Sequence, residues 1–142
     1  SALTDAADYL GSIQIRNVAT IGGNISTAAP SADTATPLLV LGAQVKVKSL
    51  KGERTIPIEE FFKGPSKSAL KGDEIVTELI IPKPLPNTGS AYWKHQRRQA
   101  LDLPILGVAV FLSLNKGTFT CPDLLCASSP ISTVLHSLET EE

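Results

Sequence analysis

Apolar residues recur at Leu3, Ala6, Ala7 and Leu10, the spacing of one helix face, and predict a helix over Ala2–Leu10. Thr4 is its expected cap and Gly11 its stop. Ser12–Ala19 alternates apolar and polar positions and reads as a short strand or an extended segment. It runs into Thr20-Ile21-Gly22-Gly23-Asn24, expected to be a glycine turn followed by a helix whose N-cap is Ser31 or Asp33. Asp33–Leu41 is nearly all apolar and predicts a short buried helix, with Pro37 tolerated in the first turn and Gly42 as the stop.

Past Gly42 the period changes. Gln44–Lys48 alternates as a half-buried strand, Lys51-Gly52 marks a turn, and Arg54–Ile58 returns as its hairpin partner. Pro57 confines that partner to an edge or an end. Glu59–Phe62 is one helical turn, Lys63–Lys67 a loop with solvated lysines, and Glu74–Ile81 a strand. Pro82, Pro84 and Pro86, with Asn87-Thr88-Gly89, form the best linker in the chain. Ser90–Arg98 opens a second, strand-rich unit. Leu103–Leu114 is its central strand, Phe119–Ala127 a hairpin partner, and Ser132–Leu138 the start of a helix. The fold class is α+β, divided into 1–85 and 86–142. No complete helical layer is expected over the second sheet, so the chain reads as a fragment or as one whose open face another chain covers.

Composition narrows this little. The chain has 142 residues, 42% hydrophobic and 19% charged, with a net charge of −1, which is globular and argues against nucleic acid or an anionic membrane surface as partner. No apolar run is long enough to span a bilayer, and residues 1–10 lack the pattern of a secretion signal. Two cysteines, Cys121 and Cys126, fall on opposite faces if their stretch is a strand, and a reduced cytoplasmic setting is the natural reading.

Candidate chemistry concentrates in Thr20–Asp33. Adjacent glycines let a ligand approach the backbone closely, and successive amides can form an anion-binding concavity. Ser26, Thr27, Ser31 and Asp33 add side-chain donors and acceptors. Local chemistry ranks this stretch as a turn first and a ligand wall second. Its spacing matches neither G-x-G-x-x-G nor G-x-x-x-x-G-K-[ST]. His95 and His136 read as surface residues, Asp102 as an ion-pair partner of Arg97-Arg98, and no Cys/His spacing matches a zinc or iron–sulfur motif. No catalytic nucleophile, general base or metal ligand stands out, so any chemistry belongs to a bound cofactor.

The run Gln14–Ile25, continued through Pro30 to Asp33, closely resembles the FAD-binding medium subunit of the molybdenum hydroxylases, the xanthine dehydrogenase and carbon monoxide dehydrogenase family. The resemblance continues in Glu53–Ile58, Phe61–Pro65 and Glu74-Ile75, then in Tyr92, Lys94, Arg97-Arg98, Ala100 and Asp102, and fades after about Gly117. It implies a PCMH-type FAD-binding subdomain over 1–85 and a truncated C-terminal subdomain over 86–142. It also implies that Thr20, Ile21, Gly22, Gly23 and Asn24 wrap FAD, that Ser26 and Thr27 lie against it, and that Asp33 binds one of its polar groups. A second glycine-rich loop of the family finds no match in residues 1–11, so part of the cofactor wall is expected elsewhere. The implied partners are an iron–sulfur small subunit with [2Fe–2S] clusters, a molybdopterin large subunit, and an acceptor such as NAD or oxygen. The alternative is a non-catalytic assembly module that docks to those subunits without FAD.

Overall fold

The computed structural model describes residues 1–84, 86–98, 104–115, 118–120, 126–128 and 133–135. In chain order the elements are α1 (Ala2–Tyr9), α2 (Ile13–Arg16), α3 (Ile21–Ser26), α4 (Ala35–Val40), β1 (Gln44–Ser49), β2 (Gly52–Pro57), α5 (Ile58–Phe61), β3 (Phe62–Gly64), β4 (Lys67–Ser68), β5 (Ile75–Ile80), β6 (Thr88–His95), β7 (Leu106–Asn115), β8 (Thr118–Thr120), β9 (Cys126–Ser128) and β10 (Thr133–Leu135).

Two antiparallel sheets carry the architecture, one ordered β2-β1-β5 and the other β6-β7-β8. Alternation in β1 sends Val45 and Val47 inward, where they meet Ile56 of β2 and Ile58 and Phe61 of α5. Lys46 and Lys48 face out and pair with Glu53, and Lys46 also with Glu78. Pro57 ends edge strand β2, as expected of a residue with no backbone N–H to donate.

Helix α4 buries all six of its residues. It ends at Gly42 with φ +61°, where Gly42 N–H donates to Leu39 O and Ala43 N–H to Leu38 O, a paired C-terminal motif that needs a left-handed residue. Helix α1 packs on β6 and α4 on β7, covering the sheet face that carries Tyr92, Lys94 and Ala109. The second sheet thus has a helical cover over that part of one face, which is less than the complete layer whose absence was expected.

Several local expectations are corrected. Ser1, not Thr4, caps α1, its hydroxyl accepting the Thr4 amide. Ser12–Ala19 is not a strand: no neighbouring strand offers a ladder, whereas Ser12 Oγ accepts the Ile15 amide and starts a helical turn. Lys63–Lys67 is not wholly loop, because β3 and β4 pair across it. Among the described residues, Phe119 and Thr120 of the expected hairpin partner pair with β7, together with Thr118, whereas Cys126–Ser128 pairs with Thr133–Leu135. Those last three residues are thus a strand and not a helix start, as the β-branched Thr133 and Val134 favour. Asp102, Cys121 and His136 lie outside the described residues.

Between strands β2 and β5, Arg54 forms a two-pronged contact with Glu74, Nε to Oε1 and Nη2 to Oε2, both 2.8 Å. With the Lys71 amide also donating, the Glu74 carboxyl is held down to about 2, the Arg54 hydrogen bonds being the main cause. A lowered carboxyl pKa favours the folded state above the ordinary value and loses that advantage as acid protonates the group. Stability is therefore expected to fall between about pH 5 and pH 2, and Arg54→Ala to flatten this acid limb. Urea midpoints measured across that range check it; an unchanged slope in the variant contradicts it.

Candidate functional site

The Gly-Gly stretch is helical, not a left-handed turn. Thr20 caps α3, its Oγ1 accepting the Gly23 amide at 3.0 Å, and neither Gly22 nor Gly23 has positive φ. Helix geometry leaves the Ile21 and Gly22 amides, in the first turn, without an intrahelical acceptor. The two glycines serve different contacts. A Cβ on Gly22 would lie 3.5 Å from Val76 Cγ1 on β5, an ordinary packing distance. A Cβ on Gly23 would lie 3.0 Å from Thr20 Oγ1, crowding the cap itself. Ser26 Oγ donates to Gly22 O at 2.6 Å and Thr27 Oγ1 to Gly23 O at 3.0 Å, the back-bonding habit of hydroxyls in helices. The chain then leaves α3 through Ala28, buried at φ +47°.

Beside α3 lies an open cleft of about 480 Å³, within the size range of small-molecule sites. Thr20, Gly23, Asn24 and Thr27 wall one side, and Leu10, Ile15 and Val18 give it an apolar rim. Val18, just past α2, is 83% exposed, and Ile13 at the start of α2 is 66% exposed. An adjoining recess of about 130 Å³ shares Leu10, Ala19, Thr20 and Asn24 with the cleft and adds Arg16, Ile21 and Thr34. Of the expected site residues, then, Thr20, Ile21, Gly23, Asn24 and Thr27 face these two spaces. Gly22, Ser26 and Asp33 do not line them.

Asp33 does not cap α4, as one reading of the sequence had it, and neither does Ser31. The helix begins after Thr34, with no side-chain cap bond. The Asp33 carboxylate is instead buried, one oxygen 3.0 Å from Lys94 Nζ and the other accepting Tyr92 OH at 3.1 Å. The Lys94 and Asp33 side chains are only 2% and 6% exposed. Burial pushes the Asp33 carboxyl up, against the pull of Lys94 and of Tyr92. Burial and the adjoining carboxylate raise the Tyr92 phenol well above its usual range. Besides the apolar rim, two polar residues of the site escaped the sequence reading. Arg16 Nη1 donates to Leu10 O at 2.8 Å, closing the end of α1. Thr34 Oγ1 donates to Asn24 Oδ1 at 2.6 Å. The spacing Thr34-x-x-Pro37 was a partial hint, because Pro37 removes one of the two amides that a capping threonine can bond.

Hydroxyls, a carboxamide and backbone amides on an α+β scaffold are groups that can hold a cofactor. Among the described residues no group of three histidine, cysteine or acidic side chains could hold a metal. Residues 1–84 match the family described as FAD binding domain in molybdopterin dehydrogenase, and the chain belongs to that family. It is similar to the xanthine dehydrogenase FAD-binding subunit of Escherichia coli O157:H7, with 42% identity over 120 residues, 84% of this chain and 41% of the relative. It is 39% identical over 109 residues to the nicotinate dehydrogenase FAD-subunit of Eubacterium barkeri, across 75% of this chain and 37% of that one. Its backbone is similar to that of carbon monoxide dehydrogenase from Hydrogenophaga pseudoflava, with TM-score 0.79 and 31% identity over 84% of this chain and 41% of that chain. The chain thus spans about two fifths of the length of the relatives it matches. The family read from Gln14–Asp33 and the α+β, PCMH-type fold are borne out.

The buried pair sets an expectation of its own. Lys94→Met strands the Asp33 carboxylate without a counter-ion and should cost about 3–5 kcal/mol of folding stability, as removal of one partner of a buried pair does. The double substitution Asp33→Asn with Lys94→Met removes both charges and should regain most of the loss. Urea denaturation of the three proteins decides; a harmless single variant contradicts the assignment.

Proposed function

We propose that this chain forms part of the FAD-binding electron-transfer subunit of a molybdopterin-containing hydroxylase or dehydrogenase. The observation that carries the reading is the cleft at α3, walled by Thr20, Gly23 and Asn24 from within the segment that matches the FAD-binding family. The residues present fit such a cofactor. Gly23 keeps the wall low where any side chain would meet the Thr20 cap. The Ile21 and Gly22 amides, in the first turn of α3, are donors suited to phosphate oxygens. Leu10, Ile15 and Val18 supply apolar surface for a ring system.

Bound FAD would supply the redox chemistry, linking [2Fe–2S] clusters on an iron–sulfur small subunit to an acceptor such as NAD or oxygen. The chain's own residues bind and orient. Thr20, Ile21, Gly22, Gly23 and Asn24 hold the dinucleotide, Thr27 borders it, and Ser26 steadies the helix carrying them. Asp33, through Lys94 and Tyr92, fixes the position of the segment that follows. Substrate hydroxylation belongs to a molybdopterin large subunit. Residues 1–85 constitute the FAD-binding subdomain and 86–142 the opening of the next. The family match over 1–84 supports that boundary. No helix among the described residues is long and apolar enough to cross a membrane. We place the assembly in the cytoplasm, where its two cysteines would stay reduced.

Titration of the full-length protein with FAD, followed by flavin fluorescence quenching, tests the reading. Saturable binding is expected, and Gly23→Val should weaken it by roughly tenfold or more, equivalent to about 1.4 kcal/mol. A colourless protein that binds no FAD yet co-purifies with iron–sulfur and molybdenum subunits would replace this reading with the assembly module.

A further inference from the structure

We infer that Thr34 is a positioning residue for the cofactor site, acting through Asn24 to aim its carboxamide at the bound dinucleotide. The inference rests on the FAD reading above and adds to it a residue that touches no ligand itself.

Thr34 occupies the N-cap position of α4, where a threonine oxygen ordinarily accepts an amide from the second or third helical residue. Here it accepts none. The third helical residue is Pro37, which has no N–H to give. Thr36 keeps its N–H, but Thr34 is itself αR, at φ −81° and ψ −14°, and not extended as a capping residue is, so its hydroxyl makes no cap bond and donates instead across ten residues of sequence to Asn24 Oδ1 at 2.6 Å. Thr34 is 2% exposed, and its backbone is fixed from the other side, since Asp33 is clamped by Lys94 and Tyr92. Its Oγ1 therefore sits on a rigid mount.

The consequence falls on Asn24. A carboxamide has one acceptor end and one donor end, of similar shape and opposite chemistry. Once Thr34 occupies the oxygen, the remaining NH2 group presents two donors. Asn24 lines both the larger cleft and the recess, and Thr34 lines the recess beside it. The pair thus offers donors to an oxygen-rich ligand, the class to which the phosphates and ring carbonyls of FAD belong. Without the Thr34 hydroxyl the carboxamide is free to turn, and half of its orientations set oxygen against oxygen.

The test uses the full-length protein and four variants, Thr34→Val, Thr34→Ser, Asn24→Ala and the Asn24→Ala/Thr34→Val double. Valine keeps the shape and removes the hydroxyl, so FAD affinity should fall roughly tenfold, the scale of one buried hydrogen bond. Serine keeps the hydroxyl and should bind within about twofold of the unchanged protein. The double variant should bind no worse than Asn24→Ala alone, because Thr34 acts only through Asn24. Wild-type affinity in Thr34→Val, failure of serine to rescue, or additive losses in the double each overturns the inference. A separate readout needs no flavin: the side-chain NH2 resonances of Asn24, assigned with Asn24→Ala, should shift in Thr34→Val and not in Thr34→Ser. If the unchanged protein binds no FAD while these resonances behave as stated, the flavin reading falls and the Thr34–Asn24 pairing stands. If they do not respond to the loss of the hydroxyl, the pairing falls whatever FAD does.

Discussion

The buried contact of Asp33 with Lys94 and Tyr92 is the constraint on which the rest depends. It joins residues 59 and 61 positions apart and ties β6, beyond the proline-rich stretch, to the loop that enters α4. Lys94 Nζ also reaches Tyr9 O at 3.4 Å, and the Ala2 amide donates to Ser90 Oγ, so α1 is fastened to the same strand at both ends. A buried ion pair is a poor source of net stability, because the cost of desolvating two charges roughly offsets their attraction. Its effect here is on register. Side chains on β6 alternate, with Tyr92 and Lys94 inward and Trp93 and His95 outward, stacked on each other at 5.4 Å. A slip of one residue would bury His95 or Trp93 against Asp33 and expose the lysine, leaving the carboxylate unpaired. Tyr92 sharpens the same choice, because a Cβ on facing Gly107 would lie 2.7 Å from its hydroxyl.

From that contact, order passes to α3 and the cleft beside it. Helix α3 has six residues, two of them glycine, and each glycine weakens a helix by roughly 1 kcal/mol relative to alanine. Such a segment would not hold its shape alone. It is held at its start by Thr20, along one side by Val76 of β5 and the buried Ile25, and across the gap by Thr34. The cost at Gly23 leaves the helix's own cap uncrowded, whereas at Gly22 a Cβ would meet Val76 only at ordinary contact distance.

How much of this was legible follows from the range of each interaction. β1, β2 and β5, the turn at Lys51-Gly52, the stop at Gly42 and the end of β2 at Pro57 were readable, because period and punctuation are local properties. Ser12–Ala19 misled because alternation is necessary for a half-buried strand but needs a neighbouring strand to become one, and Ser12 supplied a nearer partner. The glycine pair misled in the opposite sense. It suggested positive φ, yet the cap at Thr20 made helix the local answer, and the left-handed exit fell to Ala28. The family, in contrast, was readable from Gln14–Asp33 as a string. The destination of Asp33 was not, since nothing near it announces Lys94.

What the cleft lacks is as instructive as what it holds. Among the described lining residues Arg16 is the one charged side chain, and it sits in the recess with Nη1 already engaged by Leu10 O. Among the described residues no carboxylate, histidine or thiol lines either space, and Asp33, next to Thr34 of the recess, is committed to the interior. A site so composed can bind by hydrogen bonding and apolar contact, and it can hold orientation through Thr20 and Thr34. That is the division of labour expected where the cofactor carries the reaction and the protein sets its place and surroundings. The buried charges are kept one layer back, where they stabilise position without entering the chemistry.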